Sequence, residues 1–189
     1  MTVRGIFDEM RRRLRPGSAE PNLPDGLDSE PPGWRDRQGR SPVDTLREYV
    51  ADRCAFEQWA AAEHRHMSTS HAGGQMTEGD LEISRSVSDA LDRIRDRYLS
   101  PSGRDRAGGT IYSVPPEYDP RSIRIRNIRR VRASRVEIAT VHEDLHMAMV
   151  PRKLRQHDFR YDFVRIDDEW RLDNRLALFE DRRPIGGLV

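Results

Sequence analysis

The chain has 189 residues, 35% of them hydrophobic and 34% charged, and a formal net charge of +1. That suffices for one ordinary domain with a modest core, and the near-balanced charge argues against nucleic acid, which wants a strongly basic domain or face. Cys54 is the only cysteine, which excludes an internal disulfide, and no apolar run approaches the ~20 residues of a membrane helix.

Residues 2–15 place Val3, Ile6, Phe7, Met10 and Leu14 at helical spacing, with Arg11, Arg12, Arg13 and Arg15 clustered late. This predicts a short amphipathic basic helix over 1–15, its cations near the negative end of its dipole. Charges interrupt the N-terminus from Arg4 onward, so a signal peptide's apolar stretch is missing and a soluble cytoplasmic protein is expected. Residues 16–40 hold Pro16, Pro21, Pro24, Pro31 and Pro32 among Gly, Ser and Asp, the composition of a disordered arm or linker. Trp34 is the one residue there equipped to dock.

Ser41-Pro42 then opens a long helix, with Ser as N-cap and Pro at the first helical position. Val43, Leu46, Val50 and Cys54 form one stripe, widened by Tyr49, Phe56 and Trp59, and the helix should end near Met67. A second helix starts near Thr77, with Asp80 as a variant capping-box partner. Its stripe is Ile83, Val87, Leu91, Ile94 and Tyr98, and Ser100-Pro101 should end it. Residues 102–109 read as a polar loop.

From Thr110 the period changes to two. Thr110 to Val114 reads as a strand. Ile123 and Ile125, then Ile128 and Val131, read as another with a bulge near Asn127. Val136, Ile138 and Thr140 alternate next, then Leu145, Met147 and Met149. Phe159, Tyr161 and Phe163, a tight Asp167-Asp168 turn, and Trp170 with Leu172 predict a closing hairpin with one face in the core. Helices followed by antiparallel strands give an α+β domain over 41–189.

His142-Glu143-Asp144-Leu145-His146 is a literal H-E-x-x-H. On a helix it would bring two imidazoles to one zinc, with Glu143 as general base. The flanks alternate as strands, however, and residues four apart in a strand lie ~13 Å from one another. A helical stripe through Ile138, Val141, Leu145 and Met149 keeps the alternative open. Asp144 puts a charge where such proteases carry an apolar residue, and the third-ligand candidates, Glu169 and His157, fall at the hairpin. Cys54 reads as a core residue, and His64, His66 and His71 as a solvated helix end. Neither Gly73-Gly74 nor Gly108-Gly109 follows a phosphate-loop pattern. No cofactor, metal or catalytic set is expected.

Tyr112-Ser113-Val114-Pro115-Pro116-Glu117-Tyr118-Asp119-Pro120, the run from Ile123 to Thr140, the hairpin Phe159-Arg160-Tyr161 … Asp167-Asp168-Glu169-Trp170-Arg171-Leu172-Asp173 and the Gly187-Leu188 tail stand together in order. In this the chain resembles the nuclear-transport-factor-2-like immunity proteins of bacterial polymorphic toxin systems. Asp168 stands where that family usually has a turn glycine, and the Pro-rich arm has no counterpart. The resemblance implies a cone, with N-terminal helices packed on a strongly bent antiparallel sheet. It also implies a non-enzymatic protein that binds and neutralises a cognate toxin domain and touches neither nucleic acid nor membrane. A homodimer is left open. For a basic toxin, Glu143, Asp144, Asp158 and Asp162 are the candidate contacts. The alternative function is a small zinc-dependent hydrolase using His142, Glu143 and His146.

Overall fold

A computed structural model describes residues 34–70, 77–107, 116–144, 156–178 and 184–185, the side chains of 66–70 and 184–185 excepted. The expected helix over 1–15, most of the Pro-rich arm, the strands at 110–114 and 145–149 and Gly187-Leu188 lie outside the described residues.

Capping boxes start both long helices. Ahead of α1 (Pro42–Ser70), the Asp44 N–H donates to Ser41 Oγ at 3.2 Å, and Asp44 Oδ2 accepts the Ser41 N–H at 3.0 Å. Ahead of α2 (Glu78–Tyr98), Thr77 and Asp80 exchange the same two bonds. Asp replaces the usual Glu at the third helical position and still satisfies two orphan N–H groups at each start. The apolar stripes face one another: Leu46, Tyr49, Val50, Phe56 and Ala60 of α1 are buried, as are Val87, Ala90, Leu91, Ile94 and Tyr98 of α2.

A third helix, α3 (Pro101–Arg106), occupies the stretch expected to be loop. Ser100-Pro101 both stops one helix and starts the next, since Pro is equally at home at a first helical position. Ser100 caps α3 by accepting the Gly103 N–H at 2.9 Å while its hydroxyl donates to Asp173 at 2.7 Å. Gly103 is required by close approach: a Cβ there would sit 2.7 Å from the Leu172 carbonyl oxygen, a backbone atom that cannot swing aside.

The sheet is an antiparallel meander in chain order: β1 (Ile123–Arg132), β2 (Arg135–Glu143), β3 (Gln156–Ile166), β4 (Glu169–Leu178) and the two-residue β5 (Pro184–Ile185). It is flat and does not curl or close, which overturns the cone and with it the resemblance to the nuclear-transport-factor-2-like family. The register shows why. Strong bending needs bulges that coil the strands, yet the central pair β2–β3 runs in unbroken register from Arg135↔Val164 to Glu143↔Gln156. Shifts occur in β1–β2, at Ile125/Asn127 and Arg130/Arg132, and in β3–β4, at Asp162/Phe163. The first of these is the bulge expected near Asn127.

The sheet's inner face buries Val136, Ile138, Tyr161, Phe163, Trp170 and Leu172 in the same core as the helical stripes. At the hairpin tip, Asp167 and Asp168 both have positive φ, 49° and 62°, as a two-residue turn demands. The chain before α1 straps this tip: Trp170 Nε1 donates to the Trp34 carbonyl at 2.6 Å, and the Arg37 N–H to the Asp168 carbonyl at 3.1 Å. A left-handed non-glycine residue costs roughly 1 kcal/mol, somewhat less for Asp. Asp168→Gly should therefore raise stability by about 0.5–1 kcal/mol in urea denaturation, because the exposed Arg165–Asp168 pair it removes is worth little. An unchanged or lowered midpoint would show that this ion pair outweighs the backbone strain.

Candidate functional site

Two features of the folded chain carry unusual chemistry: the outer strand β1 and a polar cluster beneath the sheet's inner face. β1 reads Ile-Arg-Ile-Arg-Asn-Ile-Arg-Arg-Val-Arg. Ile123 and Ile125 are buried, but from Arg126 onward only Ile128 is even half-buried. The arginines reach carboxylates of β2 and, beyond it, β3. Arg129 Nε reaches Glu137 at 2.9 Å, Arg124 reaches Glu143 at 2.9 Å and Arg126 reaches Asp158 at 3.2 Å. Exposed pairs of this kind contribute roughly 0–1 kcal/mol each. Arg130 and Arg132 are exposed and have no carboxylate partner among the described residues.

This pairing changes the meaning of the four acidic candidates. Glu143 is held by Arg124, and Asp158 by Arg126. Asp162 is 3% exposed and lies under Arg160, at 2.9 Å, and Arg135, at 3.9 Å. Burial raises its carboxyl above the usual range, and Arg160 offsets part of that rise. Asp144, half-buried at the end of β2, also has a partner. The structure does not gather these four into a free acidic patch, and the charge left over along the edge is positive. Sequence reasoning saw the carboxylates and missed their partners, because cross-strand pairing depends on register.

Beside the start of β1 runs an apolar groove. Leu46, Arg47 and Val50 of α1 form one wall, and Pro120, Ile123 and Ile125 form the other.

The H-E-x-x-H stretch begins on β2, so alternation turns His142 and Glu143 to opposite faces of the sheet. His146 lies outside the described residues, and among the described residues no three His, Cys, Asp or Glu side chains gather to hold a metal. His142 is 6% exposed, its ring centroid 4.4 Å from that of Phe159 and its Nε2 3.1 Å from the Tyr161 hydroxyl. Burial holds its pKa down to about 2, and Arg175 and His157 push the same way. The imidazole is neutral.

Arg175 was not anticipated. It is 4% exposed and 4.0 Å from the Phe159 ring centroid, and it donates to the Tyr118 hydroxyl at 2.9 Å and to Glu117. From the helical side, Glu57, 1% exposed, accepts the backbone N–H groups of Glu117 and Tyr118 at 2.7 and 3.4 Å and pairs with Arg53 at 3.2 Å. Burial raises the Glu57 carboxyl, and Arg53 and the two N–H groups oppose that. Glu117 and Tyr118, which drew attention in the sequence, thus clamp the chain that leads into β1. The signal was present in charged residues at core positions. It was hidden because Asp173 is an extra residue in β4: Phe163 faces Leu172 while Asp162 faces Asn174, so the inward parity of β4 changes between Leu172 and Arg175.

No family model, curated protein or solved structure matches the chain. The functional reading therefore rests on its own geometry. No helix among the described residues is long and apolar enough to cross a membrane.

Proposed function

We propose that this chain is a stoichiometric binding protein that neutralises a cognate toxin domain in the cytoplasm by covering it, with no chemistry of its own. The observation that supports this is the arginine excess along β1 and its hairpin, where Arg130 and Arg132 stand exposed after the other arginines have found carboxylates. Unmatched surface charge steers association and selects partners by complementarity. The toxin surface it suits is acidic, the reverse of the polarity that the carboxylates suggest in the sequence. The zinc-hydrolase alternative gains no support from β2, which turns His142 and Glu143 apart.

Co-expression tests the reading. Where a toxin domain is encoded beside this gene, cells producing it should survive when the chain is present. Arg130→Glu/Arg132→Glu, a change confined to exposed side chains, should lower protection by about tenfold or more, the scale of losing charge complementarity. Cell death in the presence of soluble, folded wild-type protein would remove the proposal.

A further inference from the structure

We infer that Ser134, in the turn between β1 and β2, is a phosphorylation site for an arginine-directed protein kinase, and that Arg132 and Arg135 clamp the phosphate once it is in place. Such a site stands apart from the binding reading and does not depend on it. Three features meet at this turn. Ser134 is exposed, as are Val131, Arg132 and Ala133 before it. Arg129, Arg130 and Arg132 are three of the five residues ahead of its hydroxyl, the kind of charge pattern by which kinases select substrates. Arg132 and Arg135 are directly opposed across the two strands and close the turn, and like charges so placed repel.

The neighbouring carboxylates leave that repulsion standing. Glu137, on the face of Arg135, is engaged by Arg129 at 2.9 Å. Arg135 lies 3.9 Å from Asp162 and 3.7 Å from Asp173, beyond hydrogen-bond length. A phosphate on Ser134 carries a charge of about −1.5 to −2 at pH 7 and three acceptor oxygens. Guanidiniums hold phosphate through paired, charge-assisted hydrogen bonds, so the modified turn exchanges a repulsive pair for a bridge. The Ser134 carbonyl accepts the Arg165 N–H at 2.9 Å, which fixes the residue beside both arginines. The turn also yields to a kinase. Unlike Asp167 and Asp168, neither Ala133 nor Ser134 has a positive φ. A two-residue turn without it twists against its strands, and the register already breaks between Arg130 and Arg132, so this end of β1 opens at little cost. In the transfer, Ser134 Oγ bonds to the terminal phosphorus of ATP and the bond to the β-phosphate oxygen breaks. ADP leaves, and the hydroxyl proton passes to the kinase's carboxylate base.

The test incubates the full chain with ATP and the catalytic domain of an arginine-directed serine kinase. Intact mass should show the gain of one phosphoryl group, and peptide mapping should place it on Ser134. Ser134→Ala should lose it, and Arg130→Ala/Arg132→Ala should slow its incorporation about tenfold or more. Arg135→Ala keeps the arginines ahead of Ser134 and isolates the clamp. Phosphorylation should raise the urea midpoint of the wild-type chain and do so less in Arg135→Ala. The phosphate's second ionisation, read by phosphorus NMR, should lie below its ordinary value of about 6 in the wild-type chain and nearer to it in Arg135→Ala. No incorporation into the folded chain, incorporation elsewhere with Ser134 unmodified, or an unchanged rate in Arg130→Ala/Arg132→Ala would overturn the site. Identical phosphorus titrations in the two proteins would overturn the clamp. Inorganic phosphate added to the unmodified chain should leave the midpoint where it is, and an equal rise would assign the arginine pair to a free anion instead of Ser134. The co-expression assay judges the binding reading separately.

Discussion

Acidification is expected to destabilise this protein through His142. The folded imidazole has a pKa of about 2, against 6.5 for the free side chain. A folded pKa depressed below the unfolded value means that the unfolded chain takes up a proton which the folded chain refuses. Stability from this group is therefore complete above pH 6.5 and is lost as pH falls from there toward 2. The loss approaches ~1.4 kcal/mol per pH unit, or roughly 2–3 kcal/mol by pH 4.5. That is a large part of a typical ~5–15 kcal/mol. The surroundings offer no relief. Phe159 and the neutral Tyr161 hydroxyl face the ring from β3, and the two charges that reach it, Arg175 of β4 and His157 of β3, both oppose protonation. His142→Gln keeps an acceptor for the Tyr161 hydroxyl and removes the titration. Urea unfolding of both proteins between pH 7.5 and 4.5 should give a steep wild-type profile and a flatter one for the variant. Parallel profiles would show that another group takes up the proton.

What could be read from the sequence was what local chemistry determines. Ser41 with Pro42 and Thr77 with Asp80 mark helix starts within one turn, so both starts were legible, while the part of Asp44 in the first cap appears only in the structure. Asp167-Asp168 between two alternating runs marks a turn, and its positive φ values followed from the turn type. The break between Ile125 and Asn127 was visible as a slip in the isoleucine period. Curvature was not legible, since a period of two is the same in a flat sheet and in a bent one. The expectation of a cone came from the family resemblance, and the unbroken β2–β3 register removed it. The role of Ser100-Pro101 was half legible: the same two residues end α2 and cap α3, and only the nearby β4 backbone shows why a short helix is stable there. The four candidate carboxylates were legible as residues, and their arginine partners were not. Glu143 lies on β2, beside β1, and Asp158 on β3, one strand further in, and Arg124 and Arg126 pair with them. No reading without register could have subtracted those pairs.

Arg175→Ala is expected to cost about 3–5 kcal/mol, whereas Arg175→Met should cost less than about 1.5 kcal/mol. Two effects compete at this position. If charge dominated, any neutral residue would be equally harmful, because Glu117 and the Tyr118 hydroxyl would lose their donor. The exposures decide between them. The Arg175 side chain is 5% exposed, but that of Glu117 is 43% exposed, so water replaces the guanidinium on the carboxylate. No buried unpaired charge remains, and the pair itself contributes little net stability. The space is another matter. The guanidinium lies 4.0 Å from the Phe159 ring centroid and 4.9 Å from that of Tyr118. Alanine empties that volume, whereas methionine refills it with a flexible, polarisable chain suited to aromatic neighbours. The residual cost of methionine is the Tyr118 hydroxyl left without its donor, about 1 kcal/mol. Chemical denaturation of the two variants separates the effects directly. Equal losses would assign the cluster's stability to charge, and the Glu117–Arg175 pair, rather than packing, would then be what anchors the chain entering β1.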